Sequence, residues 1–195
     1  GYNIFEFDGT SSGFLNSIIL NWPNLFNGDV TFLSTRITAI LLISLIFYFC
    51  FLYFKTEVSK KISLLLIMPG LLLFALTNDP DFVHYSSELL STSFLIICLY
   101  GFNLYLKSNR TDLFYVGMFL LGLTLFSKIQ IVTTSTVLAF SISFYNFFKK
   151  NYKIFFYGIV IFITPIFLVL IVFILKGNIH DFYLNYFEFP CTQKK

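Results

Sequence analysis

The sequence predicts an all-α fold: a polytopic bundle of membrane helices with about six spans and an amphipathic interfacial helix near the N-terminus. Composition is the first reason, because 57% of the residues are hydrophobic, only 12% are charged and the mean hydropathy is +0.80. Soluble globular domains carry about twice that share of charge. The second reason is pattern, since the apolar residues form long blocks separated by short charged clusters, as membrane spans do.

Six apolar segments are candidate spans, and together they form a predicted bundle over residues 36–176. A span needs about 20 residues, with about 17 as the usual lower limit. The second and fourth segments are short, so we expect them to cross at a thinned or protein-lined place or to be partly re-entrant. The segments run roughly from Arg36 to Phe54, Ile62 to Thr77, Leu89 to Leu106, Leu113 to Phe126, Ile129 to Phe148 and Ile154 to Leu175.

The charged residues predict which side of the membrane each loop occupies. If the six segments alternate in direction, 8 of the 13 basic residues share one side with two acids, and 8 of the 10 acids lie on the other side. Lys and Arg of short loops stay in the cytoplasm, so both ends of the sequence, 1–35 and 177–195, are predicted outside an inner or plasma membrane. The basic residues of the cytoplasmic side are Lys55, Lys60, Lys61, Lys107, Arg110, Lys149, Lys150 and Lys153.

The segment before the first span, SSGFLNSIILNWPNLFNG, is predicted to be a helix lying in the outer interface. Its apolar residues recur at helical spacing, and its polar residues fall on the opposite face. Pro23 leaves open the alternative of a loop packed on the bundle. The predicted apolar face comprises Phe14, Leu15, Ile18, Ile19, Trp22, Leu25 and Phe26, and the polar face comprises Asn16, Ser17, Asn21 and Asn24.

Between the second and third segments lies an acidic outer stretch, TNDPDFVHYSSE. Asp81, Tyr85 and Glu88 stand at i, i+4 and i+7, so a helix starting near Pro80 would place them on one face, and His84 pairs with Glu88 at i+4. Such a face suits a cation or a hydroxyl-rich substrate, or supplies a general base.

Helix capping is the alternative explanation for the same stretch. Asp79 then caps the helix, Pro80 takes its first position and Asp81 complements the helix dipole. Asp79 and Asp81 also form an Asp-x-Asp pair able to hold a divalent metal together with phosphate oxygens, although a third ligand is missing. No other cofactor is predicted.

Two cations stand on the outer side within the bundle. Lys128, in GLTLFSKIQIVTTS, follows a short span, where a charge is costly and usually kept for a function. An ammonium group desolvated near the membrane surface binds phosphate well, and Arg36 lies at the outer start of the first span. We therefore predict a site for a phosphate-bearing ligand. In the alternative, Lys128 snorkels to the interface and Arg36 anchors a helix end.

The order of several short motifs resembles a known family. GYNIFEFDGTSSG, NWPNLFNG, STRITAILL, HYSSELLSTSFLIICLY and GMFLLGLTLFSKIQ follow one another as in the GT-C class of integral membrane glycosyltransferases. The resemblance is closest to the bacterial relatives of dolichyl-phosphate-mannose protein mannosyltransferases. It implies transfer of a sugar from a polyprenyl-phosphate-linked donor on the outer face of the membrane.

The resemblance also implies roles for individual residues. The family's catalytic acid would lie just before Gly1, so we expect a fragment with residues missing at both ends, in which Asp8 is a poor substitute. Glu88 matches an acid at the start of the family's following helix, where it positions substrate. Arg36 and Lys128 match the cations that we expect to hold the donor phosphate. Inverting transfer needs no covalent enzyme intermediate.

Two other classes of protein remain open. In a transporter or lipid flippase, His84, Glu88 and Lys128 would line a translocation path, although the polar residues cluster on one side and no internal repeat is visible. In a non-catalytic membrane subunit, the charges would only anchor helices. Membrane lipids are predicted partners in every case, whereas a basic patch interleaved with stacking aromatics, as nucleic-acid binding requires, is missing.

Overall fold

The computed structural model describes residues 13–76 and 85–175, and within these ranges the chain is an all-α bundle without strands. The predicted fold class is therefore confirmed. In these two ranges, seven α-helices and two short 3-10 helices follow one another. They are α1 (Phe14–Leu20), a 3-10 helix (Trp22–Phe26), α2 (Phe32–Glu57), α3 (Lys60–Leu76), α4 (Ser87–Ser108), α5 (Thr111–Thr124), a 3-10 helix (Ile129–Ile131), α6 (Val132–Phe148) and α7 (Tyr152–Leu175).

Three of the described helices, α2, α4 and α7, are long and apolar enough to cross a membrane. They contain 26, 22 and 24 residues. Helices α5 and α6 are apolar but shorter, and the 14 residues of α5 extend over only about 21 Å at 1.5 Å per residue. These lengths support a membrane protein, while six crossings remain a prediction.

Helix α5 lies at the centre of the bundle, in contact with α4, α6 and α7. Its side chains Phe114, Met118 and Leu121 are buried, as expected for a helix that is surrounded by other helices. On the side of α5 that faces α7, there is no room for a side chain at Gly122, because a Cβ there would lie 2.3 Å from the carbonyl oxygen of Phe162. Such close backbone approach is typical of helix packing in membranes, where small residues line the interfaces.

The helix ends near the predicted cytoplasmic loops are joined by polar contacts. Lys107 Nζ and Asn103 Nδ2 of α4 each donate a hydrogen bond to Glu57 Oε1 of α2, both at 2.6 Å. The Tyr105 hydroxyl of α4 donates to Asn146 Oδ1 near the end of α6. These contacts gather three turns at one end of the bundle, which we call the basic end. The turns of the basic end are 55–61, 107–112 and 149–153.

The N-terminal segment departs from the predicted single amphipathic helix. Pro23 has no backbone N–H to continue an α-helix, so α1 ends after seven residues and a 3-10 helix follows. Asn16, predicted on the polar face of this helix, is buried. The segment is tied to α2 by the Trp22 indole N–H, which donates to Thr38 Oγ1 at 3.0 Å.

Candidate functional site

Lys128 lies at the end of a buried turn that links α5 to the following 3-10 helix. The backbone of this turn bonds to α1: Gly13 N donates to the Ser127 carbonyl at 2.9 Å, and Leu15 N donates to the Phe126 carbonyl at 3.1 Å. Only glycine fits the first contact, since a Cβ on Gly13 would lie 2.1 Å from the Phe126 oxygen. The N-terminal segment therefore covers the turn that carries Lys128.

A network of buried polar groups holds the same turn from two more sides. The Asn16 amide donates to the Ser127 carbonyl through Nδ2 and accepts from the Tyr85 hydroxyl at Oδ1. The hydroxyls of Ser91 in α4 and Ser127 lie 2.6 Å apart. Burial raises the pKa of Tyr85, so its hydroxyl keeps the proton that it donates. Because these groups satisfy one another, the turn is held in one position.

Lys128 and Glu88 form an ion pair across this end of the bundle. Lys128 Nζ lies 2.5 Å from Glu88 Oε1, and the side chains are unequally exposed, at 11% for the lysine and 64% for the glutamate. An ammonium group has three N–H donors, and Glu88 is the one described partner of Lys128 Nζ. The other two N–H groups have no partner among the described residues, and they lie beside a carboxylate that reaches the surface.

Glu88 owes its position to the start of α4. The Ser86 hydroxyl caps this helix by accepting from the Glu88 backbone N–H at 3.2 Å. An acidic side chain in the first turn also interacts favourably with the positive end of the helix dipole. The cap places the Glu88 carboxylate at the helix terminus, within reach of Lys128.

The predicted face shared by Tyr85 and Glu88 is corrected. Tyr85 and Ser86 are not helical, and α4 begins at Ser87, so Tyr85 and Glu88 do not lie on one continuous helical face. The half-buried hydroxyl of Tyr85 instead donates its hydrogen bond to Asn16. Among the other predicted site residues, Asp8, Asp79, Asp81 and His84 lie outside the described residues.

Arg36 is at the Lys128 end of the bundle, in the first turns of α2. Its guanidinium carbon lies 4.4 Å from the centroid of the Phe32 ring, a cation–π contact. Its Nε is buried and has no hydrogen-bond partner among the described residues. No described contact joins Arg36 to Lys128 or Glu88, so the structure brings together two of the predicted charged residues and not the third.

The predicted metal position is not covered by the described residues. Within residues 13–76 and 85–175, no three His, Cys, Asp or Glu side chains cluster as a metal ion would require. Asp79 and Asp81, the predicted Asp-x-Asp pair, lie outside these ranges. A metal held by them stays a prediction.

A groove of about 500 Å³ opens between α4 and α6. Leu95, at its α4 wall, follows Glu88 by seven residues, which corresponds to about 10 Å along the helix. The groove is mainly apolar with a few hydroxyls, so it suits a hydrocarbon chain. Its lining residues are Leu95, Leu99, Thr133, Thr134, Val137, Leu138 and Ser141.

The comparisons with known proteins leave the site to be interpreted from its own geometry. No family model matches the chain, and no curated protein or solved structure matches it. The resemblance to GT-C glycosyltransferases therefore rests on the quoted motifs alone. Its implied roles for Arg36, Glu88 and Lys128 remain predictions.

Sequence reasoning missed Asn16, Ser91 and Ser127, the polar residues that hold the turn. Asn16 was assigned to a solvent-facing side by its helical spacing, and serines in apolar helices are common. One signal was present: FSK combines a small hydroxyl residue with a costly charge directly after a glycine-containing half-length span. Such a turn needs buried partners for its backbone carbonyls.

We expect Asn16→Ala to destabilise the protein by about 1–3 kcal/mol, because it leaves the half-buried Tyr85 hydroxyl without its partner and removes one bond to the Ser127 carbonyl. Thermal unfolding of the purified protein in a neutral detergent measures the change. Asn24→Ala is the matched control, since Asn24 makes its amide hydrogen bond, to Asn21 Oδ1, on the exposed surface. Equal losses in the two variants would contradict the buried network.

Proposed function

We propose that the Lys128–Glu88 site binds the phosphate of a polyprenyl-phosphate-linked sugar and that the protein transfers this sugar to an acceptor on the extracytoplasmic side of the membrane. One observation carries the proposal: a nearly buried ammonium group lies 2.5 Å from an exposed carboxylate at one end of an apolar helix bundle. Positive charge that is shielded from water is what a departing phosphate requires.

The two side chains suit different parts of such a reaction. Lys128 has two N–H donors to offer to phosphate oxygens, while its bond to Glu88 keeps the ammonium charge in place. The Glu88 carboxylate is exposed enough to meet an acceptor hydroxyl, which it orients or deprotonates. By the resemblance, Asp8 is a further candidate for the catalytic base. Arg36, whose Nε has no hydrogen-bond partner among the described residues, is the second candidate cation.

The groove between α4 and α6 supports a lipid-linked rather than a soluble donor. It begins about two helical turns from Glu88 along α4, and its lining is mainly apolar. A polyprenyl chain lying there would leave its phosphate near Lys128. Burial of apolar surface then adds to the affinity that the charge provides.

Donor binding tests this proposal directly. We expect the purified full chain, in neutral detergent, to bind a labelled polyprenyl-phosphate sugar at least about tenfold more tightly than the polyprenol of the same length, since charge-assisted hydrogen bonds contribute about 1.5–3 kcal/mol. Equal binding of the two lipids would contradict a phosphate site. Donor binding without sugar transfer would favour transport instead.

A pair of tryptophan variants tests the groove. Val137 in the groove and Val160 on α7 are both 60% exposed, so Val137→Trp and Val160→Trp add the same bulk at similar exposure. In the same binding measurement, we expect the variant at 137 to weaken donor binding and the variant at 160 to leave it unchanged. The same affinity in both variants would place the lipid chain elsewhere.

A further inference from the structure

The basic end carries lysines that outnumber its acids. Glu57 is paired with Lys107 and Asp112 with Arg110, each at 2.6 Å, so both acids in the turns of this end are already neutralised. Within the described residues, no salt bridge involves any of the remaining lysines, and all of them are exposed. These six are Lys55, Lys60, Lys61, Lys149, Lys150 and Lys153.

The turn between α6 and α7 presents three of these lysines on a firmly held backbone. Asn146 anchors the turn, because its buried side chain accepts from the Tyr105 hydroxyl and its carbonyl accepts from Asn151 N at 2.9 Å. Lys150 N also donates to the Phe147 carbonyl at 2.9 Å. The lysines therefore project from a defined position rather than from a loose loop.

Lys150 occupies a backbone conformation that lysine does not favour. Its φ is 60°, in the left-handed region, and the other two such non-glycine residues in the described ranges are Asn27 and Asn109. Glycine adopts this conformation without strain and asparagine at little cost, whereas other side chains are penalised. The bonds from Lys150 N to the Phe147 carbonyl and from Asn151 N to the Asn146 carbonyl form a Schellman motif, which ends α6 with a left-handed residue that is usually glycine. A lysine at this position therefore adds a charge to a turn whose geometry the backbone bonds already fix.

Exposed aromatic side chains lie beside two of these lysines. Lys149 Nζ lies 5.7 Å from the centroid of the Tyr145 ring, and Lys153 Nζ lies 5.9 Å from that of Tyr157. Both rings and the neighbouring Phe148 are exposed. Exposed tyrosines at the ends of apolar helices are typical of the aromatic belt at the membrane–water interface. In a membrane, such a belt would bring the neighbouring ammonium groups close to the level of the lipid phosphates.

We propose that the basic end binds anionic phospholipids, with the turn 149–153 as the headgroup site. The negative headgroups complement the charge of lysines that form no salt bridge among the described residues. The exposed aromatic rings suit the boundary between the headgroups and the acyl chains of the lipid. A soluble polyanion would use the lysines but not the exposed rings, which is why a lipid fits the surface better. The site is at the opposite end of the bundle from Lys128, so it is independent of the proposed sugar transfer.

Binding of a fluorescent short-chain phosphatidylglycerol to the full chain in neutral detergent tests the proposal. Replacing Lys149, Lys150 and Lys153 together with glutamine should weaken binding at least about tenfold, since each lysine near an anionic surface contributes several-fold in affinity. The triple replacement with arginine keeps the charge and should retain binding. Equal binding of phosphatidylcholine, unchanged binding in the glutamine variant, or full competition by soluble polyphosphate would each overturn the proposal.

Lys150→Gly separates a lipid site from a structural role. Because glycine relieves the left-handed strain, we expect a higher melting temperature than wild type in neutral detergent, together with weaker phosphatidylglycerol binding. A lysine with only a structural role would produce no such opposite changes. Undiminished lipid binding, or a lower melting temperature in neutral detergent, would overturn the assignment of Lys150 to the headgroup site.

Discussion

Lys128→Gln should lower donor-dependent sugar transfer by about 100-fold or more, the usual loss when a group that stabilises developing negative charge is removed. The glutamine side chain is one atom shorter than that of lysine. It still ends in a hydrogen-bond donor, but it carries no charge. Because the Lys128 side chain is only 11% exposed, water cannot readily replace the ammonium group beside the leaving phosphate. Initial rates with a labelled polyprenyl-phosphate sugar, in membranes containing equal amounts of protein, measure the effect.

Lys107→Gln is the matched control for this variant. Lys107 also pairs with a glutamate, Glu57, at 2.6 Å, but it lies at the basic end. Removing an exposed ion pair changes the free energy of unfolding very little. We therefore expect this variant to transfer sugar at the wild-type rate. A normal rate in Lys128→Gln would remove Lys128 from the site, and equal losses in both variants would indicate a general effect on folding.

Gly122→Ala should destabilise the bundle by about 3 kcal/mol, the upper part of the range for overpacked cores. The added Cβ would lie 2.3 Å from the carbonyl oxygen of Phe162 and 2.9 Å from Pro165 Cγ. Neither atom belongs to a flexible side chain, so α5 and α7 must move apart to relieve the clash. Thermal unfolding in neutral detergent, followed by helix content, measures the loss.

Gly28→Ala provides the comparison for Gly122→Ala. A Cβ on Gly28 would have Pro23 O as its nearest neighbour, at 3.4 Å, an ordinary contact distance. We expect its melting temperature to stay close to that of the wild type. If the two alanine variants unfold at the same temperature, the close packing of α5 on α7 is not what stabilises the bundle.

The helical class of the protein followed from composition and block pattern, because a membrane requires each spanning backbone to satisfy its own hydrogen bonds. The clustering of basic residues also followed from counting apolar segments. In the structure, contacts such as Lys107 to Glu57 and Tyr105 to Asn146 gather the basic turns at one end. These contacts do not test how many times the chain crosses the membrane, so six crossings stay a prediction.

The site was predictable only in part. Lys128 and Glu88 were recognisable one by one, since a charge beside apolar segments is costly and usually functional. Their pairing was not, because 40 residues separate them and no local rule relates residues so far apart. Tyr85 shows the limit of periodic spacing: the i, i+3 relation to Glu88 has no meaning once the helix begins at Ser87.

The sequence by itself determined the helical class, the apolar character and the segregation of charge, which depend on local composition and on spacing along the chain. Only the tertiary structure decided that Asn16 turns inward, since its two partners, the Ser127 carbonyl and the Tyr85 hydroxyl, lie 111 and 69 residues away. The tertiary structure likewise decided that Lys128 pairs with Glu88. A buried polar group must find a partner wherever the packed chain offers one, and that choice is made by the packing of helices rather than by neighbours in sequence.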